Sequence, residues 1–331
     1  MDIKAENEYP LKNKPDTPLW SENFAMVFND SVNKVSALFG IGTWYLDTSV
    51  WRENFAVTLP DGQVLVGRQF GRNTRDGGDN VVSAAFLQYG IVDAEKKVRL
   101  VYDGPVWSYR IEELLNQGAI GGKAQRLKLT LDFDAITPLW DMHAGHKTDK
   151  TGLAGSMHTE QLGRCNGVLK INDTEIVIRD AFSNRDHSRG SRDIGNYRNH
   201  CWIQGTFASG RSFQIYVIRM HHIDGIAMSN AMVTQDGVQY PATVEKIEFV
   251  ESADDRRKPH TMVLKSALGE MTLRATNLNA TIPVVTTSPF NLTIGIVKEQ
   301  HALMFDEPMT VEWNGETGYG WSERGFSKTK T

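Results

Sequence analysis

The sequence predicts an all-β chain of two tandem barrel or sandwich units with few short helices. Three observations predict it. Apolar and polar residues alternate with the period of half-buried strands, turn signals punctuate them at near-regular intervals, and helical periodicity is scarce. At 331 residues the chain exceeds one ordinary core, so two units fit better than one. The polar stretch "RDIGNYRNH" sets the expected boundary near Asn196, giving units 1–195 and 196–331.

In chain order, "NFAVTL" (Asn54–Leu59) and "GQVLVGRQFG" (Gly62–Gly71) flank the turn signal "LPDG" and read as a hairpin. "KKVRLVYDG" (Lys96–Gly104), "QRLKLTLDFDAI" (Gln125–Ile136) and "GVLKINDTEIVIRDA" (Gly167–Ala181) repeat the alternation, the last split at "NDT". Between them, "SYRIEELLNQGA" (Ser108–Ala119) is the best helix candidate, with Gly118 as its stop. Further strands are expected within His200–His221, Gly225–Val250, Thr261–Leu278 and Asn291–Lys298. Two polar stretches, Gly71–Asn80 and Ala144–His158, read as loops.

Composition excludes several function classes. A net charge of −4 lacks the basic excess of a dedicated nucleic-acid binder. No apolar run approaches the length of a membrane span. The polar N-terminus "MDIKAENEYPLKNKPD" has no apolar signal region, so a soluble, cytoplasmic protein is expected. Cys165 and Cys201 form no disulfide framework and read as free thiols. "HAGH" (His143, His146) and the pair His221–His222 match no zinc spacing, and no phosphate-binding glycine loop or nucleophile elbow occurs. Neither metal nor cofactor is expected.

Ionisable residues concentrate in "FSNRDHSRGSRD" (Phe182–Asp193). Asp186 beside His187 is a candidate acid/base pair, since imidazole titrates near neutrality and a carboxylate fixes its tautomer. Adjacent strand residues face opposite sides, so both enter one pocket only if a bulge, which Gly190 permits, re-aims one of them. The alternatives are a solvated loop and a structural salt-bridge knot. In "MHTEQLGR" (Met157–Arg164), His158, Glu160 and Arg164 share one strand face. They line the same cavity or form the polar outer face of an edge strand.

Eight tryptophans supply aromatic surface. Trp44, Trp51, Trp107, Trp140 and Trp321 are candidates to line a small-molecule cavity, where aromatic faces also stabilise a passing carbocation. Filling a barrel core is their alternative use.

Taken in order, "EQLGR", a hairpin, "RDHSRGSRD", "CWIQGTF" and "GYGWSERG" resemble the lipocalin-like tandem β-barrel family that includes hydroxyneurosporene synthase, the acyclic carotenoid 1,2-hydratase, and related proteins. In that family an aromatic residue and then glycine usually follow "DHS"; here Arg189 holds the aromatic position. The resemblance implies two lipocalin-like β-domains, a hydrophobic cavity and cofactor-free chemistry. It assigns Asp186 and His187 as proton donor and relay, Arg185 and Arg192 as groups orienting Asp186, and Glu160 as completing the polar patch.

Two functions fit these readings. One is a cofactor-independent lyase, hydratase or isomerase acting on a hydrophobic terpenoid, steroid-like or aromatic molecule. An arginine on each side would keep Asp186 ionised, so His187 is the expected acid and Asp186 its orienting partner. The other is a non-catalytic carrier of a hydrophobic ligand, with the charged segment as a latch. Substrate and oligomeric state are left open.

Overall fold

The computed structural model describes residues 5–72, 80–142, 157–191, 196–278, 281–287, 291–295 and 302–327. The loop candidates within Gly71–Asn80 and Ala144–His158, together with Arg192, His143 and His146, lie wholly or largely outside the described residues.

The first sheet contains β1 (Trp20–Asp30), β2 (Val35–Trp44), β3 (Asp47–Thr58), β4 (Gln63–Arg72), β5 (Val81–Ser83), β6 (Leu87–Asp93), β7 (Lys97–Arg110), β8 (Lys123–Ala135), β9 (Trp140–Asp141), β10 (Met157–Ile171) and β11 (Thr174–Ser191). Its order is β4-β3-β2-β1-β11-β10-β8-β7-β6-β5, and β4 also pairs with β7, so eight strands close on themselves. The second sheet contains β12 (Tyr197–Thr206), β13 (Arg211–Met220), β14 (Met228–Gln235), β15 (Val238–Lys246), β16 (His260–Ser266), β17 (Gly269–Asn277), β18 (Ile282–Thr287), β19 (Asn291–Ile294), β20 (Ala302–Trp313) and β21 (Glu316–Ser327). There β17 pairs with β20, which closes a second ring of eight. The described pairings are antiparallel, and closure removes the sheet edges that would otherwise invite aggregation.

Turn chemistry sets the registers. Asp236 and Gly237 both take positive φ (50° and 79°) between Gln235 and Val238, the two-residue turn that matches strand twist. The helix candidate shrinks to α1 (Ile111–Asn116), because Trp107 and Ser108 stay in the ladder opposite β8 and β4. Strands β10 and β11 run much longer than the hairpin expected around "NDT". They carry both "MHTEQLGR" and "FSNRDHSRGS" in one continuous ladder.

Aromatic side chains fill the first barrel, with Phe24, Phe28, Phe39, Phe55, Tyr102 and Phe133 all buried. The second is packed with aliphatic residues and methionines around Phe213. Buried Cys165 and Cys201 are free thiols, one in each core. A separate apolar cluster joins the barrels, bringing Trp140, Leu162 and Phe182 against Trp202, Tyr216 and Trp321. Polar contacts pin this seam: Asn29 Nδ2 donates to the carbonyls of Met309 and Gly320 at 3.3 Å, and Asn230 Nδ2 to that of Met142 at 2.7 Å. Among the described residues no helix is long and apolar enough to cross a membrane.

Candidate active site between the barrels

Strand alternation divides the charged stretch into two sites. In β11, Asn184, Asp186 and Ser188 face outward toward the second barrel, while Arg185, His187 and Arg189 face into the first. No register shift occurs near Gly190, so the bulge that would have re-aimed one side chain is absent. Asp186 and His187 therefore point to opposite sides of the sheet.

The inward set is a buried ion-pair knot. His187 stacks on Phe24 with ring centroids 4.0 Å apart, its Nε2 lies 3.2 Å from Glu22 Oε1, and its Nδ1 lies 3.8 Å from Glu8. Arg189 pairs with Glu22 at 2.7 Å. Arg185 donates to Gln161 Oε1 at 2.8 Å and pairs with Glu8 at 3.3 Å. Glu8 belongs to the 3₁₀ turn Ala5–Glu8, which thereby plugs the barrel. Burial opposes ionisation of Glu8 and Glu22, but His187 and the arginines outweigh it and hold both carboxyls below the usual range. The expected roles of His187 as acid and of Arg185 as a group orienting Asp186 thus meet a placement of both side chains inside the first barrel. Arg185 and Arg189 help to hold Glu8 and Glu22 ionised.

The outward set meets a cavity of about 160 Å³ between the barrels. Its first wall follows one line of register across β11, β1, β2 and β3: Asp186, Ala25, Gly40 and Asn54, with Glu160 next in that line on β10. Ala25 and Gly40 add little or no side-chain volume to this wall, while at Gly42 the Asn23 side chain occupies the place a larger residue would need. The facing wall is a second such line across β13, β12 and β21: Tyr216, Trp202 and Glu323, with Asp306 next in that line on β20. Phe24, Leu38, Ile41, Val284 and Met304 make most of the remaining lining apolar.

His158 joins the first wall as a shared contact. Its Nε2 lies 3.1 Å from Glu160 Oε1 and also contacts Asp186 Oδ2. Glu160 accepts from Trp202 Nε1 at 2.8 Å and from Asn184 Nδ2 at 2.7 Å, so a buried carboxyl of the first barrel is held partly by the second. Opposite, His200 Nε2 lies 3.2 Å from Glu323 Oε1, and Trp321 Nε1 donates to Asp306 Oδ1 at 2.8 Å. The edges of both imidazoles and of Tyr216 meet at 5.4–5.6 Å between centroids.

Crowding carboxyls in a dry seam favours their protonated forms. Burial pushes Glu160 up to about 7, Asp186's charge adds to this, and His158 and Asn184 oppose it. Burial, then neighbouring Glu307, pushes Asp306 up to about 7. Burial raises Glu323 well above the usual carboxylate range, with Asp306, Asp186 and Glu160 acting in the same direction. The site therefore stores protons near neutrality.

His158, Glu160 and Asp186 also place one ligand atom each within 4.8 Å of one another, a spacing that would admit a metal ion. Both Glu160 oxygens, however, accept N–H donors, which suits a carboxyl held as part of a hydrogen-bond network better than a metal ligand.

Of the tryptophans expected in the cavity, Trp140 and Trp321 lie in the seam, Trp140 as the cross-strand neighbour of Glu160. Trp51 is in the first barrel's core, with the Lys14 ammonium over its ring. Trp44 packs edge-on against Phe70, and Trp107 is 36% exposed on an outer groove. Trp51 and Trp44 thus pack against aromatic neighbours, while Trp107 lines a second pocket of about 840 Å³. Trp202, Tyr216, His200, Glu323, Asp306 and Arg52 were not singled out from the sequence. A period-two signal existed in "HCW" and "WSE", where His200 and Trp202, and Trp321 and Glu323, share faces of their strands.

A family model described as a domain of unknown function, DUF7064, matches residues 4–326. The chain belongs to the DUF7064 family. No curated protein matches this DUF7064 sequence. Solved structures resemble it over nearly their full lengths. CghA bound to Sch210972 superposes with a TM-score of 0.63 at 12% identity, covering 95% of this chain and 90% of that one. An AttH candidate from Nitrosomonas europaea gives 0.60 at 13%, covering 92% of each. Kievitone hydratase from Nectria haematococca gives 0.54 at 12%, covering 94% and 90%. At such identities the likeness establishes the fold, and the lipocalin-like all-β architecture expected from the sequence stands.

Proposed function

We propose that this DUF7064 protein is a cofactor-independent lyase of the hydratase type, or an isomerase, acting on a hydrophobic small molecule in the seam between its barrels. One observation carries the reading: Asp186, His158 and Glu160 form a connected proton-holding cluster at the wall of a mostly apolar cavity. A carrier would need the apolar lining but not this cluster.

The chemistry follows from the contacts. Asp186 takes up the proton held at His158 Nε2 and passes it to the substrate, and Glu160, protonated near neutrality and in contact with the same nitrogen, restores a proton to His158. Protonation of an alkene carbon, or of a leaving oxygen, creates a cationic carbon. The faces of Trp202 and Tyr216 stabilise that charge in a site with little water. On the facing wall, the imidazole of His200, with the protonated Glu323 beside it, accepts the proton released when water adds, or when a neighbouring C–H bond is lost. The structural likeness to a protein named kievitone hydratase agrees with this class of reaction.

The test begins with mass spectrometry of small molecules that copurify with wild type and with Asp186→Asn. The compounds found are then incubated with each protein in ¹⁸O-labelled water. The proposal expects wild type to exchange, add or eliminate water, or to shift a double bond, and Asp186→Asn to bind without turnover. Ligand retention by wild type with no chemical change would favour the carrier.

A further inference from the structure

We infer that Gln214 of the second barrel is a positioning residue: it turns the amide of Asn184 so that N–H, not C=O, faces Glu160. The inference deepens the function proposed above and rests on Glu160 as the proton store of that reading.

The contacts form one short chain across the seam. Gln214, on β13, donates from Nε2 to Asn184 Oδ1 on β11 at 3.3 Å. Asn184 in turn donates from Nδ2 to Glu160 Oε2 at 2.7 Å. All three side chains are buried, with 0–2% of their surface exposed. Strand alternation explains why they meet. Phe213 and Ile215 fill the second barrel's core, so Gln214 between them faces the first barrel. Asn184 shares the outward face of β11 with Asp186. Among the described residues neither amide lines the cavity, so neither is placed to touch a substrate.

An asparagine amide carries a donor at one end and an acceptor at the other. The end that faces a buried carboxyl decides which protonation state it supports. An N–H supports the carboxylate, whereas a C=O accepts the O–H of the neutral acid. With its oxygen held by Gln214, Asn184 can offer C=O to Glu160 only by setting its own N–H against that of Gln214. Gln204, directly across the ladder, has a buried Nε2 without a partner among the described residues, and Gln214 Oε1 has none either. An idle donor opposite an idle acceptor favours the orientation that Gln214 has.

Glu160 has to release its proton to His158 and regain it. Burial favours the protonated form, and the Asn184 N–H opposes burial. Trp202 donates to the other oxygen. The second barrel therefore acts on both oxygens of Glu160, on one directly and on the other through Asn184.

Infrared titration of the carboxyl C=O stretch in the free protein tests the inference without any substrate. Gln214→Met removes the amide at nearly constant length and lets Asn184 turn. The midpoint of the protonated-carboxyl band should then rise from about 7 by about 1 pH unit. Asn184→Leu should raise it at least as much. Gln214→Met added to Asn184→Leu should change it by less than about 0.3 unit, since both act through one contact. A wild-type midpoint in Gln214→Met, or a Gln214→Met shift that persists in Asn184→Leu, would overturn the inference. If the variants fold poorly, NMR of wild type labelled with ¹⁵N in its asparagine side chains decides. The Asn184 amide signals should titrate with the midpoint of the Glu160 band, and signals that ignore it would overturn the inference. A band that titrates near 7 but ignores Gln214 removes this inference alone, whereas a Glu160 already ionised at pH 5 removes the proposed function with it.

Discussion

The indole N–H of Trp202, on the second barrel, donates to Glu160, on the first, across 2.8 Å of buried seam. This bond makes the protonation of Glu160 depend on how the barrels dock. Removing the donor in Trp202→Phe withdraws support from the carboxylate and raises the Glu160 pKa further above about 7. The alkaline limb of any activity profile should therefore move to higher pH. Loss of a buried bond to a charged group should cost about 1.5–3 kcal/mol, measured by urea unfolding.

Asp186 and His187 are neighbours in sequence with opposite fates, and substitution should separate them. Asp186→Asn should lower turnover by about 10²- to 10⁴-fold with little change in stability. His187→Gln should leave the cavity intact but remove a partner from Glu8 and Glu22, which keep Arg185 and Arg189, destabilising the fold by about 1–3 kcal/mol. Thermal unfolding and turnover on the copurified ligand check both outcomes.

This division also shows what the sequence made legible. Alternation and turn signals identified the all-β architecture, and His158 with Glu160 was correctly read as one strand face beside the charged stretch. The partner of Asp186 was not legible. It is His158, 28 positions earlier, brought close by the β10–β11 register that pairs Glu160 with Asp186. Nor was the second wall, since Trp202 and Glu323 are 121 positions apart in the sequence and meet only because β12 pairs with β21. Arg185 and His187 attracted attention by chemistry alone, while strand geometry turns them inward.

The site carboxyls should make stability fall as pH rises. Glu160 has a folded pKa of about 7 against an ordinary 4.5, so between these values the unfolded chain binds fewer protons than the folded one. Unfolding free energy therefore declines across this window, on the order of 3 kcal/mol for Glu160 alone. Glu8 and Glu22 act oppositely: their lowered pKa values contribute stability above the ordinary value that is lost as pH falls through the folded one. Denaturant titrations at pH 5 and 7.5 should show a smaller decline in Glu160→Gln than in wild type.

Space in the cavity comes from Ala25 between Asp186 and Gly40. Ala25→Leu should fill it without touching the polar groups. Binding of the copurifying ligand should fall at least tenfold, measured by calorimetry, while unfolding free energy changes by no more than about 1–3 kcal/mol, the usual cost of overpacking.

The central claim is that the seam holds a protonated acid at neutral pH, and infrared difference spectroscopy of the carboxyl C=O stretch reads it directly. Wild type titrated between pH 5 and 9 should show a protonated-carboxyl band that bleaches with a midpoint near 7 and is missing from Glu160→Gln. A Glu160 carboxyl already ionised at pH 5 would contradict the account.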